Sequence, residues 1–206
     1  MRPDGRPVKE AVMAAAVQLF AEYGYNAAPL RTIASMAGIQ AASIYYYYDS
    51  KQALLVEIMD TYMRRLNANL EKILREDDDP LRRLHEAIAN HIRLHTSHKA
   101  EFFIIDTEIR ALEGDNRSCI LALRDRYESL LQELLRDGME CGVFRQGDVK
   151  VSSYAIIAMC TEVATWFKPG GRLSVQQVID IYSQMITGGL LATRKLPQTP
   201  EELART

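Results

Sequence analysis

Residues 30–48 read Leu30-Arg31-Thr32-Ile33-Ala34-Ser35-Met36-Ala37-Gly38-Ile39-Gln40-Ala41-Ala42-Ser43-Ile44-Tyr45-Tyr46-Tyr47-Tyr48, and their spacing describes two short helices joined by a tight turn. Leu30, Ile33, Ala34 and Ala37 recur at three- and four-residue steps and form one inner face. Ala34 is small where a second helix must cross closely. Gly38 can take the left-handed backbone conformation that a β-carbon penalises. Ile39 plugs the turn, and Ile44 and Tyr48, four apart, anchor the second helix to the core. The intervals between Ala34, Gly38 and Ile44 are those of a helix-turn-helix.

The second helix is left with Gln40, Ala41, Ala42, Ser43, Tyr45, Tyr46 and Tyr47 facing outward. Small residues at its N-terminal end let that end sink into the DNA major groove, where base edges are read. Gln40 and Ser43 can hydrogen-bond bases or phosphates, and the hydroxyls of Tyr45 and Tyr46 can reach phosphates from the groove wall. Lys51 and Arg31 are placed to neutralise phosphates on either side, with Arg2, Arg6 and Lys9 as a basic arm. Four tyrosines in a row point all round the helix, so one or two must be buried. Core and interface packing is the other use open to them.

With their flanks, these residues resemble the TetR family of bacterial transcriptional regulators. The resemblance is carried by Phe20-Ala21-Glu22-Tyr23-Gly24-Tyr25, Ile33-Ala34-Ser35-Met36-Ala37-Gly38, Ile44-Tyr45-Tyr46-Tyr47-Tyr48 and Ser50-Lys51. It implies a homodimer that binds a palindromic double-stranded DNA operator and responds to a small-molecule effector. Three positions depart from the family pattern. Ala28 stands where Thr or Ser is usual, removing a helix cap and a phosphate contact. Pro29 suits a helix start but lacks a backbone N–H that would face a phosphate. Tyr48 replaces a Phe, and its hydroxyl needs a partner if buried.

Charge sets a condition on this reading. The 206 residues carry 27 acidic and 25 basic side chains, a net charge of −2. That excludes a polycation coating nucleic acid but not a site-specific binder with a local footprint. Up to residue 51, Arg2, Arg6, Lys9, Arg31 and Lys51 oppose Asp4, Glu10, Glu22 and Asp49, a surplus of one positive charge. Tight binding then needs two heads, about 34–36 Å apart on a dimer, and falls steeply with salt.

The composition, 48% hydrophobic and 25% charged, is that of an ordinary globular protein. Cys119, Cys141 and Cys160 form no CxxC pair, which suggests reduced thiols rather than a zinc ribbon or disulfides. The N-terminus lacks the apolar core of a signal peptide, and the apolar stretch 154–160 is too short for a membrane span. These features point to a soluble cytoplasmic protein with no membrane partner. There is no glycine-rich phosphate loop after a strand, no nucleophile elbow and no arguable Ser/His/Asp set. The sequence therefore suggests neither an enzyme nor a cofactor.

Helical periodicity runs nearly throughout. Val8, Val12, Ala15, Ala16, Leu19, Phe20 and Tyr23 form a first helix that Gly24 stops. Further helices are expected at about 29–36, 41–47, 51–75, 80–97, 100–112, 116–140, 149–167 and 174–193, giving an all-α fold of about nine helices. Asp49 with Gln52 has the form of a capping box. Asp115, Asn116 and Ser174 are further caps, and Asp79-Pro80 restarts the chain after an acidic run that suits a solvated helix start or, alternatively, a ligand. The polar tail from residue 196 is expected to fray. Residues 1–50 form the DNA-binding domain, and 51–206 an all-α ligand-binding and dimerisation domain.

In that second part, Tyr154, Ile157 and Thr161 form one stripe, and Ile179, Tyr182, Ile186 and Gly189 another. Two such helices from each chain would make a four-helix dimer seam; intramolecular packing is the alternative. Gly188 and Gly189 cost helix stability, which a close helix approach would justify. The block Trp166-Phe167-Lys168-Pro169-Gly170-Gly171 resembles TetR-type regulators of acyl-CoA, fatty-acid or steroid breakdown. Candidate effector contacts are Phe102, Phe103, Asp106, Arg110, Tyr127, Met159 and Trp166. Phe102, Asp106 and Arg110 share a face at four-residue steps, so Asp106 and Arg110 are either an internal ion pair or await a polar ligand. The pairs Arg64-Arg65 and Arg82-Arg83 suit either a solvated surface or an anionic effector group such as a CoA phosphate. His91 and His95 are four apart on one helix, but no third metal ligand accompanies them. A helical ligand carrier without specific DNA binding is the competing class, favoured by the weak head charge and by Ala28.

Overall fold

The computed structural model describes residues 7–190, and its regular elements are helical. They are α1 (Val8–Tyr23), α2 (Leu30–Met36), a 3-10 segment (Ala41–Tyr46), α3 (Lys51–Glu76), α4 (Pro80–Ser97), α5 (Lys99–Glu108), a 3-10 turn (Ile109–Ala111), α6 (Gly114–Glu140), α7 (Val149–Trp166) and α8 (Val175–Leu190). The all-α expectation holds. The basic residues Arg2 and Arg6 and the polar tail lie outside the described residues. Among those described, no helix is long and apolar enough to cross a membrane.

Local chemistry sets the helix ends. Gly24 (φ +80°) stops α1, its N–H donating to the Phe20 carbonyl at 3.0 Å. The α3 cap is Ser50, not Asp49: the Ser50 Oγ accepts from the Ala53 N–H at 3.1 Å. Gln52 consequently does not reach back as a capping-box partner. Asp79 accepts from the Leu81 N–H at 2.9 Å, so the acidic run serves the start of α4. Asp148 caps α7 by accepting from Lys150 and Val151. Ser174 and Gln177 cap α8 reciprocally, at 3.2 and 2.8 Å. Helix α6 begins at Gly114, ahead of the expected caps Asp115 and Asn116.

The chain packs as two compact units that do not divide at residue 50. Among the described residues, one comprises 7–69 with Leu94–Tyr127, the other Leu70–Arg93 with 128–190. In the first, α1 packs on α2 and α5, and α2 on the 3-10 segment. Val12, Ala16, Phe20, Ile33, Ala34, Ala37, Leu54 and Leu55 are wholly buried there. The second unit buries Leu84, Ile88, Leu134, Leu135, Phe144, Val163 and Ile179. Gly138 leaves no room for a side chain there: a β-carbon would lie 2.1 Å from the Phe144 ring. The Phe144 N–H also donates to the Gly138 carbonyl at 2.8 Å.

Candidate nucleic-acid interface and effector region

Helix α2 ends in the turn anticipated from its sequence. Gly38 has φ +68°, and the Ile39 N–H donates back to the Ala34 carbonyl at 3.0 Å. Ile44 is buried and pins the segment that follows. That segment is a 3-10 helix, not an α-helix: the Ser43 N–H reaches the Gln40 carbonyl at 2.9 Å, and the Tyr47 N–H reaches Ile44 at 3.0 Å. Tighter winding keeps this segment to two turns.

Gln40, Ala41, Ala42, Ser43, Tyr45, Tyr46 and Tyr47 are all exposed. Tyr46 is 86% exposed. Its ring meets that of Tyr47 edge-on at 5.1 Å. Only Tyr48 of the four tyrosines is buried. Burial, with the Glu57 carboxylate beside its hydroxyl, holds its pKa above the ordinary tyrosine value. Lys9 lies over the Tyr48 ring at 5.5 Å and pairs with Glu57 at 2.8 Å.

The two expected phosphate cations differ. Arg31 is exposed at the start of α2. The Lys51 ammonium donates to the Asn26 carbonyl at 3.2 Å and sits 4.5 Å over the Tyr25 ring. Desolvation lowers its pKa, partly offset by the Glu108 carboxylate. The departure at Ala28 is structural as well: Ala28 is buried, and α2 starts after Pro29 with no side-chain cap.

Sequence reasoning missed one tie from the head to the end of α5 and another from the first turn of α3 to the residues that follow α5. The Glu108 carboxylate accepts from the Tyr25 N–H at 3.1 Å. The Gln52 side chain donates to the Ala111 carbonyl and accepts from the Glu113 N–H, each at 3.2 Å. These pairs lie 83, 59 and 61 residues apart in the chain, so no local pattern announces them.

Deeper in the same unit, Phe102 is buried against the His95 ring, with centroids 4.7 Å apart, and Tyr62 meets His95 from another side at 5.7 Å. The Tyr62 hydroxyl and Asn67 Oδ1 are buried without hydrogen-bond partners among the described residues. Asn67 Nδ2 donates to the Met63 and Leu123 carbonyls. Burial raises the Tyr62 pKa well above the ordinary value. Tyr127 is buried too.

The other candidate effector contacts are placed differently. Phe103, Asp106 and Arg110 are exposed. The buried face of α5 centres on Ile104 and Ile105, so Phe102 lies at its edge and Asp106, about 40° further round, in solvent. Arg110 falls in the 3-10 turn, where the four-residue period no longer holds a face. The premise of a buried Asp106–Arg110 pair therefore fails. Met159 is half-buried and Trp166 exposed, its ring stacked on Tyr182 with centroids 6.5 Å apart; both belong to the second unit.

Several polar residues are committed locally. His91 Nε2 pairs with Thr161 Oγ1 at 3.0 Å. Arg64 binds Asp60 at 2.6 Å, and Arg65 contacts His98 at 3.0 Å. Arg83 holds the Asp77 carbonyl, Asp78 and Asp137, while Arg82 lies near Asp77 and Asp79.

Residues 12–58 match the family described as bacterial regulatory proteins, tetR family. Residues 77–190 match the tetracyclin repressor-like C-terminal domain. The chain belongs to the TetR family. It is 30% identical over 178 residues to the transcriptional repressor KstR2 of Mycobacterium tuberculosis, covering 85% of this chain and 88% of KstR2. The TetR-family regulator PfmR of Thermus thermophilus superposes with TM-score 0.80 at 33% identity, covering 86% of this chain and 97% of PfmR. AibR, solved in complex with isovaleryl coenzyme A and operator DNA, gives TM-score 0.79 at 27% identity, covering 87% and 97%.

In this TetR-family chain the outward apolar face of the last two helices is not the one expected. Tyr154 is exposed, while Ile157, Thr161, Tyr182 and Gly189 are half-buried. Ile179 and Ile186 are buried within the single chain and so have no surface to offer a second copy. The exposed large apolar residues are instead Val151, Tyr154 and Trp166 on α7, and Ile181 and Met185 on α8. Among the described residues, a β-carbon at Gly188 or Gly189 would meet nothing within 4 Å, so no close approach among them explains these glycines.

Proposed function

We propose that this chain is a homodimeric transcriptional repressor acting in the cytoplasm. It holds a palindromic operator and leaves it when a small apolar or amphipathic effector of the acyl-CoA class binds. The observation that carries this reading is the head itself: an uncharged, exposed segment, Gln40–Tyr47, held on a left-handed Gly38 turn with its anchor Ile44 buried. Residues 1–50 read DNA in this account, and 51–206 bind effector and dimerise. Gln40, Ala41, Ala42, Ser43, Tyr45, Tyr46 and Tyr47 face the major groove, and Arg31 and Lys51 the phosphates.

The effector class is supported by AibR, whose structure holds isovaleryl coenzyme A with operator DNA. It is also supported by the buried Tyr62–His95–Phe102 cluster, whose Tyr62 hydroxyl has no hydrogen-bond partner among the described residues. Such a group costs stability unless something satisfies it. Dimerisation is supported by Ile181, Met185 and Gly188, which recur at four- and three-residue steps on α8 and suit a closely approaching helix.

Release needs only a few kcal/mol of differential effector affinity between DNA-bound and free forms. Titrating the chain onto DNA flanking its own coding sequence, with acyl-CoA of graded chain length, tests the reading. Saturable specific binding reversed by one length class is the expected result. Binding no tighter than to scrambled DNA would contradict it.

A further inference from the structure

We propose that the operator half-site is read chiefly through thymine methyl groups, so the base pairs under Ala41 and Ala42 are A·T. This rests on the DNA-reading assignment of the head and goes beyond it by naming the base chemistry. Guanine presents two acceptors, O6 and N7, to the major groove, best met by the twin donors of Arg or by Lys. No Arg or Lys occurs between Arg31 and Lys51. Arg31 belongs to α2, outside the reading segment. Lys51 begins α3, and its ammonium is held by the Asn26 carbonyl over the Tyr25 ring.

The reading segment offers other groups. Ala41 and Ala42 are exposed in its first turn and end in methyl groups. With nothing longer there, the backbone can come close to the groove floor. The only apolar group that a base edge presents in the major groove is the thymine C5 methyl, which accepts an alanine methyl as a contact. Gln40, exposed and extended at the N-cap of the segment, carries the amide that pairs bidentately with adenine N6 and N7. Methyl contact and amide both select A·T.

The test uses the full chain and two steps. A selection from random duplex DNA yields the half-site, and each thymine is then replaced singly by uracil, which keeps the base pair and removes only the methyl. Burying one methyl is equivalent to about a fourfold change in affinity. The expected result is a half-site with A·T at its reading positions and about fourfold weakening at one or two thymines, multiplying across both half-sites. The Ala42→Gly chain should bind the thymine and uracil versions of the Ala42-facing position equally. A half-site of G·C pairs, or uracil tolerated at every position, would overturn the inference while leaving the regulator standing. Enrichment of no sequence at all would overturn both. The uracil series uses the unaltered protein, so a folding defect in the variant cannot mask the answer.

Discussion

Gly38 and Gly138 show two different reasons for a glycine. At Gly38 the backbone itself requires one, since φ +68° places any β-carbon against the following carbonyl at about 1–2 kcal/mol. At Gly138 the backbone is helical and the neighbour requires it, because the Phe144 ring lies where a β-carbon would go. Gly138→Ala is accordingly expected to destabilise by about 1–3 kcal/mol, seen as a lower Tm, with the surviving folded fraction still binding DNA. An unchanged Tm would mean Phe144 is not confined there. The thiols give a second check. Burial pushes the Cys160 thiol from its ordinary value near 9 up to about 12, whereas Cys119 and Cys141 are exposed. Iodoacetamide at pH 8 should label Cys119 and Cys141 and spare Cys160 until the chain unfolds; equal labelling of all three would contradict the packing of α7. Because the folded chain holds this thiol neutral, its contribution to stability is intact below about pH 9 and declines as pH rises toward 12. Arg31→Ala should weaken binding to specific and scrambled DNA alike and reduce the salt slope by about one per head. A loss confined to one sequence would make Arg31 a base reader.

At the scale of the elements, what was legible depended on how local the cause is. The turn at Gly38, the stop at Gly24 and the Ser174 cap are settled within five residues, and each stands where its sequence placed it. The α3 cap shifted by one residue because two neighbouring side chains can both accept, and Ser50 has the geometry. Faces were harder to read. Helix α8 is apolar around much of its girth, so periodicity alone could not separate the inward Ile179 and Ile186 from the outward Ile181 and Met185. Likewise, four-residue steps along α5 could not foresee that the helix tightens after Glu108. Glu108, which holds Tyr25 of the head, and Gln52 of α3, which holds Ala111 and Glu113, were unreadable because their partners are distant in sequence. Replacing both by Ala should leave operator binding within about tenfold while blunting release by effector, measured as the shift in operator Kd on saturation. A full shift in the double variant would remove these ties from the coupling.

Across the whole molecule, the surplus of one positive charge up to residue 51 gives the proposed dimer its purpose, since two weakly charged heads acting together bind far more tightly than one. The outward face of α7 and α8 is the surface available to join them. Met185→Lys is expected to yield monomers by light scattering and to lower operator affinity at least 100-fold, with helicity retained. A variant that stays dimeric would move the interface elsewhere. The most direct measurement of the central claim is fluorescence anisotropy of the purified chain on DNA flanking its own coding sequence. It should be made at two salt concentrations against a scrambled control, with and without long-chain acyl-CoA. Tight, salt-sensitive binding to the flanking DNA that acyl-CoA reverses is the expected result. Equal affinity for flanking and scrambled DNA, unaffected by acyl-CoA, would contradict it.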